Sequence, residues 1–269
     1  MDMSTIAPRH DSAAASWVAA VGAVGVLVAV AMVALRTGAG QRLDEWARTT
    51  VVAGREAEVT VLSLLGRVSI GTVLAVAAAC VALAIVRGRV RLAVAAIVLI
   101  VGANITTQLL KEVVLERSVL EVIAPNSLPS GHTTVVASAV GALLLVAPRA
   151  LRLLVVVPGA FATAVTGAST VVAGWHRPAD IVAALAVCLA WTAAGSLVAG
   201  GSHRATSGVA VGSLAGAVGA LVLLVVIGVR PAYGWSGFGE ATVVLGALAL
   251  VTAFTVAVME RVSPTAAEL

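Results

Sequence analysis

The chain alternates long apolar runs with short polar breaks, and that alternation predicts its architecture. A helix needs about 20 apolar residues to cross a hydrocarbon core. Runs of that kind fall near 16–36, 59–86, 91–112, 130–148, 151–173, 179–199, 208–229 and 240–260. A closed barrel also satisfies every backbone polar group in lipid, but it needs short segments of strictly alternating polarity, and the chain shows none. The expected fold class is all-α: a polytopic helical membrane bundle of about eight transmembrane helices. Residues 1–15 read as a polar cytoplasmic tail. The run after them exceeds a signal-peptide core and lacks a small-residue cleavage site, so it reads as an uncleaved first span. In "GVAVGSLAG", Gly208, Gly212 and Gly216 share one helical face, which favours packing within the bundle over dimerisation.

Composition strengthens this picture without changing it. The 269 residues are 60% hydrophobic and 11% charged, with a mean hydropathy of +1.08; a soluble domain exposes far more charge. The net charge of +4 is modest and gives no reason to expect nucleic acid as a partner. Cys80 and Cys188 both fall inside expected spans and read as small buried apolar residues, with a disulfide or metal site as the lesser alternative.

Charge also orients the bundle. With the N-terminus inside, the short loops carrying Arg87, Arg89 and Arg91, then Arg149 and Arg152, then His203 and Arg204 all face the cytoplasm, and none holds an acid. The opposite side carries Arg36, Arg42, Arg48 and Arg55 interleaved with Asp44, Glu45, Glu56 and Glu58. The tight basic loops set the expected topology as N-in and C-in, in the cell (inner or plasma) membrane. In "LDEWARTTV", Leu43, Trp46 and Ala47 recur at helical spacing, as in a helix resting on the headgroups. Tyr233, Trp235 and Phe238 fit an aromatic belt. Anchoring explains both segments; a lid over a lipid-binding cleft is the alternative.

Three polar clusters stand at span ends on one membrane face, extracytoplasmic in this orientation. They are "LLKEVVLERS" with Lys111 and Arg117, "PSGHTT" opening the fourth span, and "STVVAGWHRPAD" joining the fifth and sixth. In the second, Pro129 suits a first helical turn, Gly131 admits close approach, and the free N–H groups of that turn can hold an anion. Ser130 adds a hydroxyl, and His132 a proton donor or acceptor near neutral pH. Alone, this segment reads equally well as a capped helix with an interfacial histidine. In the third, His176 and Asp180 are four residues apart. If the helix extends back to His176, Asp180 accepts its Nδ1–H and leaves Nε2 free as a nucleophile. Alone, that pair reads equally well as an interfacial salt bridge. Lys111 and Arg117 alone read as snorkelling cations. Together the clusters supply an anion site, cations, a nucleophile and a proton donor, which is what phosphoryl transfer needs. No cluster of carboxylates or His/Cys ligands stands out, so neither a metal nor another cofactor is expected.

These residues resemble the type 2 phosphatidic acid phosphatase (PAP2) superfamily. That family carries a lysine followed by Arg-Pro, then Pro-Ser-Gly-His, then Ser-Arg-x5-His-x3-Asp. Here the second block is intact from Pro129 to His132, and the third keeps Ser169, His176 and Asp180 at the family spacing. The resemblance covers roughly 60–199. It implies a six-helix core over 16–199 once the first span is included, with two additional C-terminal helices in 200–269. It implies His176 as the nucleophile that becomes phosphohistidine, Asp180 as its orienting acid, and His132 as the group that protonates the leaving oxygen and then activates water. Lys111, Arg117, Ser130 and the Gly131 amide would form the phosphate cradle.

Two positions depart from the pattern. Thr170 stands where the third block has arginine. Arg117 follows Lys111 by six residues instead of seven and precedes Ser118 instead of proline. Arg177 or Arg67 would have to replace the lost cation. The implied function is a metal-independent membrane phosphatase acting on a lipid phosphomonoester or pyrophosphate, of isoprenoid or glycerolipid type. The alternatives are a phosphotransferase using the same site and a catalytically impaired lipid-binding or scaffold protein. The expected partners are the lipid phosphate substrate and membrane lipids, with a homo-oligomer left open.

Overall fold

The computed structural model describes residues 9–68, 70–118, 120–121, 124–200 and 206–264. His203 and Arg204, expected in a basic loop, lie outside the described residues. Ten α-helices carry the described chain: α1 (Arg9–Arg36), α2 (Gly38–Arg48), α3 (Arg55–Gly66), α4 (Ile70–Val86), α5 (Val90–Leu109), α6 (Gly131–Val146), α7 (Arg152–Val172), α8 (Pro178–Ala199), α9 (Val209–Val226) and α10 (Phe238–Val262). A single π-helical turn, Leu110–Val114, extends α5. The all-α membrane bundle expected from the sequence is the fold observed. Its only described strands, β1 (Val51–Ala53) and β2 (Val229–Pro231), pair antiparallel and join two loops.

Among the described residues six helices are long and apolar enough to cross a membrane. Two of the expected spans look different. The run at 59–86 is not one helix: α3 and α4 meet at a bend of 44°. A charged residue, Arg67, sits at that break with Gly66 before it and Gly71 beyond, and glycine is a poor helix former. The Thr72 hydroxyl donates to the Arg67 carbonyl across it at 2.9 Å. The fourth span, α6, is short because Ser130 caps its start and Pro148 follows its end.

The buried centre lies among α5, α6, α7 and α8, with Leu99, Leu144, Leu145, Ile181 and Leu185 almost fully enclosed. Helix α1 runs along α8, and α10 packs on α7, α8 and α9. Helix α9 lies against α7 so closely that a Cβ on Gly216 would stand 2.2 Å from the Val157 carbonyl oxygen, so only glycine fits there. Val18, Leu74, Val211 and Phe254 on the outer faces remain exposed, as suits a membrane protein. At one end of the bundle Arg152 is fully buried. It donates to Glu260 at 3.0 Å and to the carbonyls of Ser263 and Pro264 at 3.2 and 2.7 Å. A residue expected in a basic loop thus cross-links the start of α7 to the end of α10.

At the other end, α2 packs against α1, α8 and α10. Thr37 caps it by accepting from the Gly40 N–H. Its Gln41 is buried, donating to the carbonyls of Leu35 and Ser118 and accepting from the Glu121 N–H.

Candidate active site

Helix α8 begins at Pro178, so the helix does not extend back to His176. The expected pair forms all the same, because Asp180 turns back toward the residues before the helix. Its Oδ2 accepts from His176 Nδ1 at 3.0 Å, from the Arg177 backbone N–H at 3.0 Å and from the Ser127 hydroxyl at 2.6 Å. A carboxylate with three donors on one oxygen is fixed in place, and it orients the imidazole with Nε2 away from it. Asp180 itself is fully buried, and His176 nearly so.

Helix α6 brings the second cluster alongside. The Ser130 N–H donates to the Asp180 carbonyl at 2.9 Å, which ties the start of α6 directly to α8. The Ser130 hydroxyl, expected in the phosphate cradle, is buried and serves as the helix cap, accepting from the Thr133 N–H at 3.4 Å and the Thr133 hydroxyl at 3.1 Å. Gly131 opens the helix, and the Gln108 amide lies 3.8 Å from where a Cβ would be. His132 is half-buried against Trp175, with ring centroids 5.5 Å apart, and has His176 and Lys111 as charged neighbours.

The cations come from three places. Lys111 sits on the π-helical turn after α5, and its carbonyl accepts from Asn126 at 3.2 Å. That amide also donates to Leu115 at 2.9 Å and Leu128 at 3.3 Å, clamping the chain after α5 to the segment before α6. Arg117 has Arg177, Asp180, Asp44 and Glu45 as charged neighbours. All three of its side-chain nitrogens are buried with no hydrogen-bond partner. Burial first, and then the Arg177 charge, pull its pKa below the usual arginine range, against the three acids. Arg177 donates from Nε to Glu45 at 2.9 Å and from Nη1 to Ser127 at 3.4 Å.

Helix α2 contributes residues that sequence patterning did not single out for the site. Glu45 bridges Arg177 and Arg48. The hydrogen bond from Arg48 and the Arg177 charge hold its carboxyl below the usual range against partial burial. Arg48 lies over the loop bearing His176, with Nη1 3.3 Å from where a Gly174 Cβ would stand. Asp44 accepts from the Ala179 N–H, at the α8 N-terminus, at 2.9 Å. Burial pushes its carboxyl up to about 6.

A family model, the PAP2 superfamily, matches residues 92–204. That stretch of the chain belongs to the PAP2 superfamily. The match starts at α5, later than the expected residue 60, and holds Lys111, Arg117, Ser130 to His132, and His176 to Asp180. PAP2 proteins are phosphatase-type hydrolases of phosphoric esters, which makes this region a phosphatase-type module. No curated protein and no solved structure matches the chain.

Both departures from the PAP2 pattern have a local structural setting. Thr170 is buried inside α7 and its hydroxyl donates to the Gly167 carbonyl at 2.7 Å, while its own carbonyl accepts from the N–H groups of Trp175 and His176 at 3.0 and 3.2 Å. It holds the loop before α8 and offers no charge. Ser118, where the pattern has proline, donates its N–H to the Leu35 carbonyl at 3.2 Å, a bond that proline cannot make. Of the two expected replacements for the missing cation, Arg177 is in the cluster. Arg67 instead lines an apolar cavity bounded by α3, α4, α6 and α7, together with Ser169.

Proposed function

We propose that the chain is a membrane-embedded, metal-independent phosphatase that hydrolyses a lipid phosphomonoester or pyrophosphate through a phosphohistidine on His176. The observation that carries this reading is the pairing of two things: an imidazole oriented by Asp180, and a guanidinium near that carboxylate, Arg117, whose buried nitrogens have no partner among the described residues. A buried polar group left without a partner is costly, and a phosphoryl oxygen supplies what Arg117 lacks.

In this mechanism His176 Nε2 attacks phosphorus while Lys111, Arg117 and the N–H groups at the start of α6 take up the charge growing on the phosphoryl oxygens. His132 protonates the departing oxygen, so the lipid leaves as an alcohol from a phosphomonoester and as a monophosphate from a pyrophosphate. The neutral His132 then takes a proton from water, and the resulting hydroxide cleaves the N–P bond and releases phosphate. Arg177 and Arg48, adjacent to this space, supply the cation that Thr170 does not. Among the described residues no group of three or more His, Cys, Asp or Glu side chains is placed to hold a metal ion. The cations above are therefore assigned the charge stabilisation.

A lipid substrate is favoured by the apolar cavity of about 440 Å³ between α3/α4, α6 and α7, with Ser169, from the third motif, on its wall. An apolar tail there would leave its phosphate at the end of the bundle that carries His176. The basic loops favour an extracytoplasmic position for that end, with both termini inside.

The test is phosphate release from a panel of lipid phosphates and pyrophosphates in EDTA, comparing wild type with His176→Ala and His132→Ala. Release by wild type alone is expected. No release from any substrate overturns the enzyme reading, and loss of activity on chelation overturns metal independence.

A further inference from the structure

A second apolar cavity, of about 470 Å³, lies beneath α2 between α1, α8 and α10, and shares no helix with the first. It continues into another of about 600 Å³ along the same three helices, because Val182 and Val251 line both. The combined groove follows α1 from Ala34 to Ala15, a length of about 28 Å at the helical rise of 1.5 Å per residue. That is nearly the whole hydrocarbon thickness of about 30 Å, whereas a chain anchored in one leaflet reaches about half of it. Val18, Val26 and Phe254 along the groove are exposed, so it opens sideways toward lipid.

The outer end of the groove is polar at one residue. Asp44 lines the cavity and is 7% exposed. Its Oδ1 accepts from Ala179, but its Oδ2 is buried with no hydrogen-bond partner. Asp180, Arg177 and Arg117 are its charged neighbours. On Asp44 Oδ2 itself a phosphate oxygen would set acceptor against acceptor, and an amine would bring a positive charge toward Arg177 and Arg117. A hydroxyl adds no charge and brings one donor for the one open acceptor.

We propose that this groove is a binding site for a single-chain lipid alcohol long enough to reach through both leaflets, with its hydroxyl donating to Asp44 Oδ2. The proposal extends the phosphatase reading, because an alcohol is what remains of a lipid phosphate ester once hydrolysis removes the phosphate. The groove therefore assigns a long single-chain class to the lipid, in preference to a two-chain glycerolipid.

The test is photocrosslinking of the full chain in nanodiscs with a photoreactive polyprenol. The polyprene hydrocarbon without the hydroxyl and photoreactive hexadecanol, which spans one leaflet, serve as controls. Polyprenol labelling should map to α1 and α10 and exceed that by both controls. It should fall about tenfold in Asp44→Ala, the size expected for one hydrogen bond to a charged acceptor. Because Asp44 also touches α8, Ala247→Phe provides an independent variant: it fills the groove, leaves Asp44 in place, and should block labelling while phosphate release continues. Equal labelling by the hydrocarbon, equal labelling by hexadecanol, or labelling indifferent to both substitutions would overturn the proposal. The same labelling in His176→Ala separates the two claims, since binding persists there whether or not the chain hydrolyses phosphate esters.

Discussion

Arg152 and Arg117 are both drawn in from water, at opposite ends of the same bundle, and the protein treats them differently. The Arg152 terminal nitrogens are taken by Glu260 and by carbonyls at the end of α10, leaving only its Nε without a partner. At Arg117 no side-chain nitrogen has a partner, although Asp180, Asp44 and Glu45 are close enough to act on its charge. The first arginine ends the fold's requirements by cross-linking two helices. The second leaves a requirement open near the carboxylate that orients His176. Arg152 is fully buried and Arg117 partly so, and what separates a structural arginine from a ligand-binding one here is whether the protein itself completes the hydrogen bonds of the buried nitrogens.

That contrast predicts opposite phenotypes. Glu260→Ala strands a buried guanidinium and should cost about 3–5 kcal/mol of stability. Thermal unfolding should register the loss, with kcat/KM per folded molecule little changed. Arg117→Ala should do the reverse. Losing one preorganised charge-stabilising group costs about 10²–10³ in turnover, while the melting temperature stays level or rises because an unsatisfied cation is removed. If Arg117→Ala unfolded the chain as Glu260→Ala does, the two arginines would be doing the same job and the contrast would fail.

Asp44 allows a sharper test, through pH. Its carboxyl is raised from 3.8 to about 6 by burial, with the Asp180 charge adding to the effect, and with the Ala179 N–H, Arg177 and Arg117 opposing it. Between those values the folded chain holds a proton that the unfolded chain has released. The stabilisation from the protonated form is complete below 3.8 and is lost as pH rises through 6. A shift of about two units corresponds to about 3 kcal/mol at most. Asp44→Asn should therefore melt higher than wild type at pH 7.5, with the gap closing toward pH 4. The smallest effect is expected at Glu45. Replacing it with Gln removes the carboxylate shared by Arg48 and Arg177, and should change KM for the phosphate substrate a few-fold more than it changes kcat. Equal effects on both would argue that Glu45 acts by shaping the nucleophile.

How much of this was legible in the sequence follows from how local each signal was. Apolar runs marked the helical bundle because span length is a local property, and six of the eight expected spans stand as single long apolar helices among the described residues. The four-residue interval between His176 and Asp180 survived even though α8 starts after the histidine. The break at Arg67 was hidden because hydropathy runs through it on both sides. In the sequence Asp44, Glu45 and Arg48 count only as loop charges, since an amphipathic pattern looks the same whether its polar face meets water or an active site. Only tertiary docking tells these apart: Glu45 and Arg177 are 132 positions apart in the chain. Ser127 was overlooked for a related reason, because a hydroxyl in a loop carries no periodicity and becomes meaningful only once it is seen donating to Asp180.

The central claim is that His176 is the nucleophile, and a rapid-quench experiment addresses it most directly. The purified chain is mixed with a lipid phosphate labelled in the phosphoryl group and quenched at high pH, where phosphohistidine survives, and the label is then mapped by mass spectrometry. The account predicts a phosphoryl group on His176, formed and lost within the turnover time, absent from His176→Ala and longer-lived in His132→Ala. Phosphate release at the full rate from His176→Ala, or a phosphoryl group found on another residue, would contradict it.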